Sequence, residues 1–297
     1  MTISVISGGC GFIGFHMAEL LLSKGHEVRV IDNFSTGKRT NLSPHNKLGI
    51  QYGDINIMPL DHQVFTNMDY FFHFAGIPSI RPSLIDPEPY IKTNVLGTTR
   101  MLEACRKHGV KKFVYAASSA CYGEADIHPT PETEDIKLQH PYGLSKHMGE
   151  VAALHWAETF GLPVISMRMF DVYGRRADST VLKIFLDLKK AGKPITVTGD
   201  GLQTRDFVHV KDVCKAYLMA AESDVKGEIF NVGTGKPETI LHLVRLLGGT
   251  ITFIPKRANE PMQHCADINK IRSVLGWEPT ITFEEGVADV LKGLNAS

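Results

Sequence analysis

ISVISGGCGFIGFHMAELLLSKGHEVRVID, residues 3–32, is the stretch from which the fold is read. It opens as a short β-branched strand and passes through a glycine-rich turn into a helix with apolar residues at helical spacing. Gly25 supplies the C-cap, and a second strand, VRVID, follows. Gly8, Gly11 and Gly14 lie directly between strand and helix. Glycine allows the tight turn and lets backbone amides approach an anion, and the helix N-terminus adds unpaired N–H groups and a positive dipole end. An ordinary turn also uses glycine, so context decides. Asp32 ends the next strand 18 residues after Gly14, where a carboxylate accepts hydrogen bonds from a ribose diol and repels a 2′-phosphate. The combination points to a dinucleotide, NAD ahead of NADP, although Lys38 and Arg39 follow closely and keep NADP open.

The alternation continues outward. YFFHFAG (70–76) and KKFVYAASS (111–119) read as strands flanking a helix around NVLGTTRMLEACRKHG (94–109), and a helix from Tyr142 to about Phe160 precedes PVISMRMF (163–170). Strands separated by helices of this length imply right-handed crossovers and a parallel sheet covered on both faces. The fold class expected is α/β, a doubly wound parallel sheet over residues 1–167 with a smaller C-terminal α/β lobe over 168–297. The lobe is less regular: PITVTGDG, RDFVHVKDV and EIFNVGTG are strand-turn units, and SVLGWEP resembles a loop closing onto a surface. About 206–231 is expected to return to the large sheet, leaving the lobe mainly 168–205 and 232–297.

At 297 residues and 43% hydrophobic, the chain can bury a substantial core. Lys+Arg and Asp+Glu balance at 32 each, leaving no field for nucleic acid or an anionic membrane surface. Cys10, Cys105, Cys121, Cys214 and Cys265 form an odd set without CxxC, which reads as reduced thiols in a cytoplasmic protein. No apolar run approaches the roughly 20 residues that span a bilayer. Thirteen histidines show no metal-ligand spacing such as HExxH, so no metal is expected.

Chemistry is concentrated in HPYGLSKHMGE (140–150) and YAASSACYG (115–123). Eight Tyr and twenty Lys give about half a Tyr-x-x-x-Lys match by chance, so the spacing alone is weak. The match present opens a helix immediately after Pro141, which sets Tyr142 and Lys146 on one face. A phenol titrates near 10, and a neighbouring ammonium is expected to draw it down toward a usable base. Ser118 and Ser119 end a strand whose C-terminal edge is where ligands sit in open parallel sheets. A hydroxyl there can bond an oxygen that passes between alcohol and carbonyl; strand-end capping is the plainer use. With the glycine turn, this is equipment for taking a hydroxyl proton while a hydride leaves.

SGGCGFIG, Asp32, SSACYG, Tyr142-x-x-x-Lys146, MRMFDVYG, GDGLQTRDFVHVKDV, FNVGTG and ADINKIRSVLGWEP occur in the order seen in extended short-chain dehydrogenases/reductases. Over nearly its whole length the chain resembles a nucleotide-sugar epimerase of the UDP-glucose 4-epimerase type. The resemblance implies a Rossmann domain that retains NAD, held by Gly8, Gly11, Phe12, Ile13, Gly14, Asp32, Asn33, Ser35, Thr36, Gly37, Asp54, Ile55, Phe74, Ala75, Gly76, Asn94, Tyr142 and Lys146. It implies catalysis by Tyr142, Lys146 and Ser118. A nucleoside-diphosphate sugar, UDP-linked by preference, would meet Ser118, Ser119, Asp171, Arg205, Arg257 and His264, the two arginines clamping the diphosphate. Related 4,6-dehydratases carry an Asp-Glu pair after the catalytic hydroxyl, and decarboxylases a Glu. Ser119 and Ala120 stand there in this chain, which favours epimerisation at C4.

Two positions depart from the family pattern. Asp171 replaces the usual Asn, and either pairs with Arg168, Arg175 or Arg176 or meets an unusual sugar substituent. Thr198 stands where many relatives stack an aromatic on the base. His264 aligns with the position that gates 2-acetamido groups. These departures keep open a 4-dehydrogenase or 4-ketoreductase that exchanges its cofactor. The family also implies a homodimer through helices near 95–108 and 143–160. Leu144, Met148, Val151, Ala152, His155 and Trp156 form a stripe for that pairing, or for the helix's own sheet.

Overall fold

The computed structural model describes residues 1–177, 180–256 and 261–295. Its strands in chain order are β1 (Ile3–Ser7), β2 (Glu27–Asp32), β3 (Leu48–Tyr52), β4 (Tyr70–His73), β5 (Lys112–Ser118) and β6 (Val164–Met169). Then come β7 (Asp171–Tyr173), β8 (Ile195–Thr198), β9 (Thr204–Arg205), β10 (Phe207–His209), β11 (Glu228–Val232), β12 (Glu238–Thr239) and β13 (Ile251–Ile254). The helices are α1 (Phe12–Ser23), α2 (Ile80–Ile85), α3 (Glu88–Ile91), α4 (Thr98–His108) and α5 (Pro141–Phe160). After them follow α6 (Val181–Lys190), α7 (Val210–Glu222), α8 (Ile240–Leu247), α9 (Asn269–Leu275) and α10 (Phe283–Asn295).

Seven strands form one sheet in the order β11-β6-β5-β4-β1-β2-β3, and the pairings from β3 through β5 are parallel. This is the expected doubly wound sheet. Strand order reverses at β1, between β2 and β4, and at such a switch point the carboxyl ends of neighbouring strands diverge to leave a crevice. β1 and β4 are buried almost throughout, as a sheet covered on both faces requires. On one face lies a core in which Phe71 and Phe113 stack 5.3 Å apart, with Met101, Leu102 and Ala153 from α4 and α5. Burial of each of the Phe, Met and Leu side chains stabilises the fold by about 1.5–3 kcal/mol.

The chain divides into two compact units. The first holds Met1–Cys121, Leu138–Arg168 and Cys214–Phe230; the second holds Tyr122–Lys137, Met169–Val213 and Asn231–Ser297. In this division the segment at 122–137 packs in the second unit and 214–230 in the first. Asn231 gives the reason for the former placement. Its side chain donates to the carbonyl of Thr130, accepts from the hydroxyl of Tyr122 at 2.8 Å, and its N–H donates to Glu132.

The second unit has its own core, where Phe207 and Phe283 stack 4.9 Å apart among Leu182, Leu186, Leu243 and Val287. Buried Asp206 holds it together, accepting from the N–H groups of Thr234, Gly235 and Ala266. Asp212 accepts from the N–H groups of Thr280 and Ile281, and its carbonyl from the Trp277 indole. That explains how the GWEP loop closes. Among the described residues no helix is long and apolar enough to cross a membrane.

Candidate active site

The glycine turn is built around close approach. Gly8 has φ +72°, and a Cβ there would lie 2.6 Å from the N of Ala75; one on Gly14 would strike the carbonyl of Gly8. Either substitution would fill a cradle that presents backbone N–H groups at the start of α1, the shape a pyrophosphate needs. Asp32 is 7% exposed and fixed by the N–H groups of Cys10 (2.9 Å) and Phe34 (2.8 Å). A carboxylate has about four acceptor sites, so these bonds aim it and leave capacity for a ribose diol. The dinucleotide fits these residues.

The remaining expected cofactor residues fall into two kinds. Asn33 accepts from Ser35 N–H, and the Asp54 carboxylate accepts from the N–H of Asn56, so these side chains shape their own loops. Ile55 is buried in the core, and its carbonyl accepts from Arg100 at 3.1 Å. Phe74 packs its ring 4.8 Å from Tyr217. Asn94 is committed at both ends: Oδ1 accepts from Ile77 N–H at 2.8 Å, while Nδ2 donates to the carbonyl of Ile77 and to Ser145. It sits in a π-helical stretch, Lys92–Gly97, a local irregularity that often marks functional positions.

α5 begins as its sequence dictates. Pro141 occupies its first turn, and the His140 ring caps it by accepting from Gly143 N–H at 2.9 Å. Tyr142, half-buried, stacks on the His140 ring, and the Ser118 side chain beside it draws its pKa down. Ser118 also accepts from Ala120 N–H at 3.2 Å. No carboxylate stands at 119 or 120.

One expectation is corrected here. Burial pushes the Tyr142 phenol above its ordinary 10, and the group drawing it back is Ser118, not Lys146. The ammonium lies over the ring of Tyr115, 4.7 Å from its centroid. Burial brings Lys146 itself down to about 8, with Glu150 pulling the other way. Sharing a helical face therefore does not by itself couple the amine to the phenol.

The sequence reading passed over the group that supports Lys146. Glu150, one turn on and 1% exposed, accepts bidentately from Arg168 (2.6 and 3.1 Å) and from Ser166 (2.8 Å). Burial pushes its carboxyl up, but His147, Arg168 and Ser166 together bring it down to about 2. An acidic residue four after the lysine and an arginine inside a strand were the available signals.

In the second unit, the partner that Asp171 meets is His264. Its Oδ2 lies 2.6 Å from Nδ1 of His264, whose ring packs 4.6 Å from that of Phe170. Arg168 is occupied by Glu150. Arg205 donates to the carbonyls of Thr204 and Pro261 and contributes to lowering Asp171. Arg257 lies outside the described residues. Thr198 is buried, its hydroxyl and carbonyl both accepting from the Gln203 amide. It thus braces a small pocket lined with Gly199, Asp200, Lys256 and Met262. On α5, Leu144, Met148 and Val151 are exposed at 39%, 39% and 52%, whereas Ala152 and Trp156 pack against the core, so the expected stripe is divided.

Residues 4–233 match the model of the NAD dependent epimerase/dehydratase family. The chain belongs to that family. A Methanocaldococcus jannaschii protein with a provisional UDP-glucose 4-epimerase name is 36% identical over 97% of this chain and 96% of its own. The UDP-glucose 4-epimerase of Mycolicibacterium smegmatis is 31% identical over 97% of each. Among solved structures, the UDP-N-acetylglucosamine 4-epimerase of Methanobrevibacter ruminantium M1, in complex with UDP-N-acetylmuramic acid, superposes with a TM-score of 0.94. It is 30% identical and covers 99% of this chain and 98% of that one. The Thermotoga maritima UDP-glucose 4-epimerase with UDP-glucose gives 0.92 at 32% identity over 99% of each. Family membership makes this an NAD-dependent enzyme on an α/β Rossmann scaffold.

Proposed function

We propose that the chain epimerises a UDP-sugar at C4 through a transient 4-keto sugar, with UDP-glucose and UDP-galactose as the pair interconverted. The observation that carries this is the Ser118 side chain set close enough to the Tyr142 phenol to draw its pKa down, with no acid at 119 or 120. Dehydration or decarboxylation would call for a carboxylate next to that hydroxyl. Relatives bearing the 4-epimerase name match along the whole chain.

NAD, when bound, supplies a reversible acceptor for the hydride on the sugar carbon. Gly8, Gly11, Gly14 and the start of α1 would hold its pyrophosphate, and Asp32 its adenosine ribose. Tyr142 would take the proton of the 4-hydroxyl as the sugar is oxidised and return it as the 4-keto sugar is reduced. Ser118, beside that phenol, lowers its pKa and would steady the sugar oxygen. Lys146, brought down to about 8 by burial, would hold the nicotinamide ribose. Arg205 and Arg257 are assigned to the diphosphate, and Asp171 with His264 to the sugar. The cofactor ends as it began, so no outside reductant is consumed.

Incubating purified protein with UDP-glucose and no added NAD tests this. UDP-galactose formed without net accumulation of reduced nicotinamide supports epimerisation; stoichiometric NADH overturns it in favour of a 4-dehydrogenase. The same reading includes a cytoplasmic location, supported by five cysteines that are all free and buried. It also includes a homodimer, with the exposed Leu144, Met148 and Val151 facing a second copy.

A further inference from the structure

A buried line of hydrogen bonds runs from the strand before the glycine turn to the start of α5, and nothing in the proton chemistry above uses it. Ser7 ends β1, immediately before Gly8, and its hydroxyl lies 2.6 Å from Nδ1 of His73. Nε2 of that ring is 3.0 Å from Oγ1 of Thr98, the first residue of α4 after the π-helical stretch. Thr98 donates to the carbonyl of Asn94 at 2.7 Å. All four residues are at most 1% exposed. Asn94 carries the line onward to Ser145 at 2.9 Å, and Ser145 donates to the carbonyl of Tyr142 at 2.8 Å.

The direction of each bond follows from counting protons. A hydroxyl has one to donate, and that of Thr98 is on Asn94. Its oxygen therefore accepts from Nε2–H of His73, which leaves Nδ1 bare to accept from Ser7. Burial, helped by the Lys146 charge, lowers His73 to about 3, so the ring keeps this neutral form at working pH. Packing alone does not call for an imidazole here. The ring sits 6.1 Å from Phe71, 5.7 Å from Phe113 and 5.9 Å from Tyr115, an aromatic nest that a phenylalanine would fill without buried polar atoms to satisfy.

We propose that His73 is a positioning residue for Tyr142 and Lys146, a fixed-tautomer imidazole that keeps the catalytic helix in register with the glycine turn. The assignment of Tyr142 as proton acceptor is taken from the reaction proposed above. Tyr115 reinforces the placement, since its ring lies beside His73, beneath the Lys146 ammonium, and its hydroxyl donates to the Lys146 carbonyl at 3.1 Å.

The test compares His73→Phe, His73→Gln and His73→Asn in NAD-loaded protein, with Thr98→Val as a variant that keeps the imidazole. Two readouts are taken: kcat and KM for UDP-glucose, and the tyrosinate titration by ultraviolet difference, with Tyr142→Phe as blank. His73→Phe and Thr98→Val should each lower kcat at least about tenfold with KM changed by less than about threefold, and shift the Tyr142 titration. Gln, whose amide reaches as far as Nε2, should restore most of the kcat; Asn, which reaches only to Nδ1, should not. Equal behaviour of Gln and Asn, or Thr98→Val with unchanged kcat and titration, overturns the proposal. Should His73→Phe not fold, Thr98→Val decides. Wild-type protein inert toward UDP-glucose defeats the epimerase reading instead, and the tyrosinate titration still judges His73.

Discussion

Asp171 and His264 are partners: Nδ1 of the imidazole lies 2.6 Å from Oδ2 of the carboxylate, and 93 residues separate them in the chain. Burial pushes the carboxyl up, yet the charge and hydrogen bond of His264, with Arg205, hold it below its ordinary value. If the pair faces a diphosphate sugar, removing the negative charge should ease binding. Asp171→Asn is expected to lower KM for UDP-glucose about fivefold, corresponding to roughly 1 kcal/mol, with kcat little changed. Steady-state kinetics check this, and an unmoved KM would show that the pair only braces the second unit.

Tyr142→Phe should cost about 10²–10⁴-fold in turnover while NAD titration by calorimetry stays as in the parent protein. A variant with near-normal turnover removes Tyr142 from the mechanism.

Ser118→Ala tests the sign of the pKa argument. Ser118 draws the phenol down against burial, so its loss raises the phenol further. The basic form is then scarcer at any given pH, and the rising limb of the pH–rate profile should move to higher pH. A shift to lower pH contradicts the assignment.

Glu150 gives a stability prediction. Its folded value of about 2 lies below the 4.5 of a free glutamate, so its contribution is fully present above about 4.5 and is lost as pH falls toward 2. Glu150→Gln should lower stability by about 3–5 kcal/mol at neutral pH, because it strands the Arg168 charge in the interior. Thermal melts from pH 7 downward should show the gap between parent and variant closing in acid. A gap of constant size would mean the carboxylate is not what stabilises.

Asp32→Asn should weaken NAD binding by about 1.5–3 kcal/mol, since hydrogen bonds to a charged group are lost. Scattering should give about twice the 32.8 kDa chain mass, and Val151→Glu should halve it. A parent protein already at 32.8 kDa refutes the pairing.

The sheet and the glycine turn were legible because their determinants are local. β1, the turn and α1 adjoin in the chain, and Asp32 follows at a spacing set by strand and helix lengths. The start of α5 was legible for the same reason, Pro141 and the Tyr-Lys spacing being neighbours. What escaped depends on distance in sequence. Nothing near Asp171 announces His264, and nothing near Glu150 announces that strand β6 delivers Arg168 to it. The expected lowering of Tyr142 by Lys146 failed for another reason. Spacing reports which face a side chain shares, but not where a flexible four-carbon stem rests, and Tyr115 offered the ammonium a ring. Nothing near residues 122–137 announces Asn231, which secures them from about a hundred positions later.

That separation bears on synthesis. Tyr122 and Thr130 leave the ribosome 109 and 101 residues ahead of the amide that binds them. The first unit is likewise incomplete until 214–230 has been made. A nascent chain halted before Asn231 thus carries a loose strap and an unfinished sheet together, so truncation after α5 should yield fragments that chaperones hold and proteases clear.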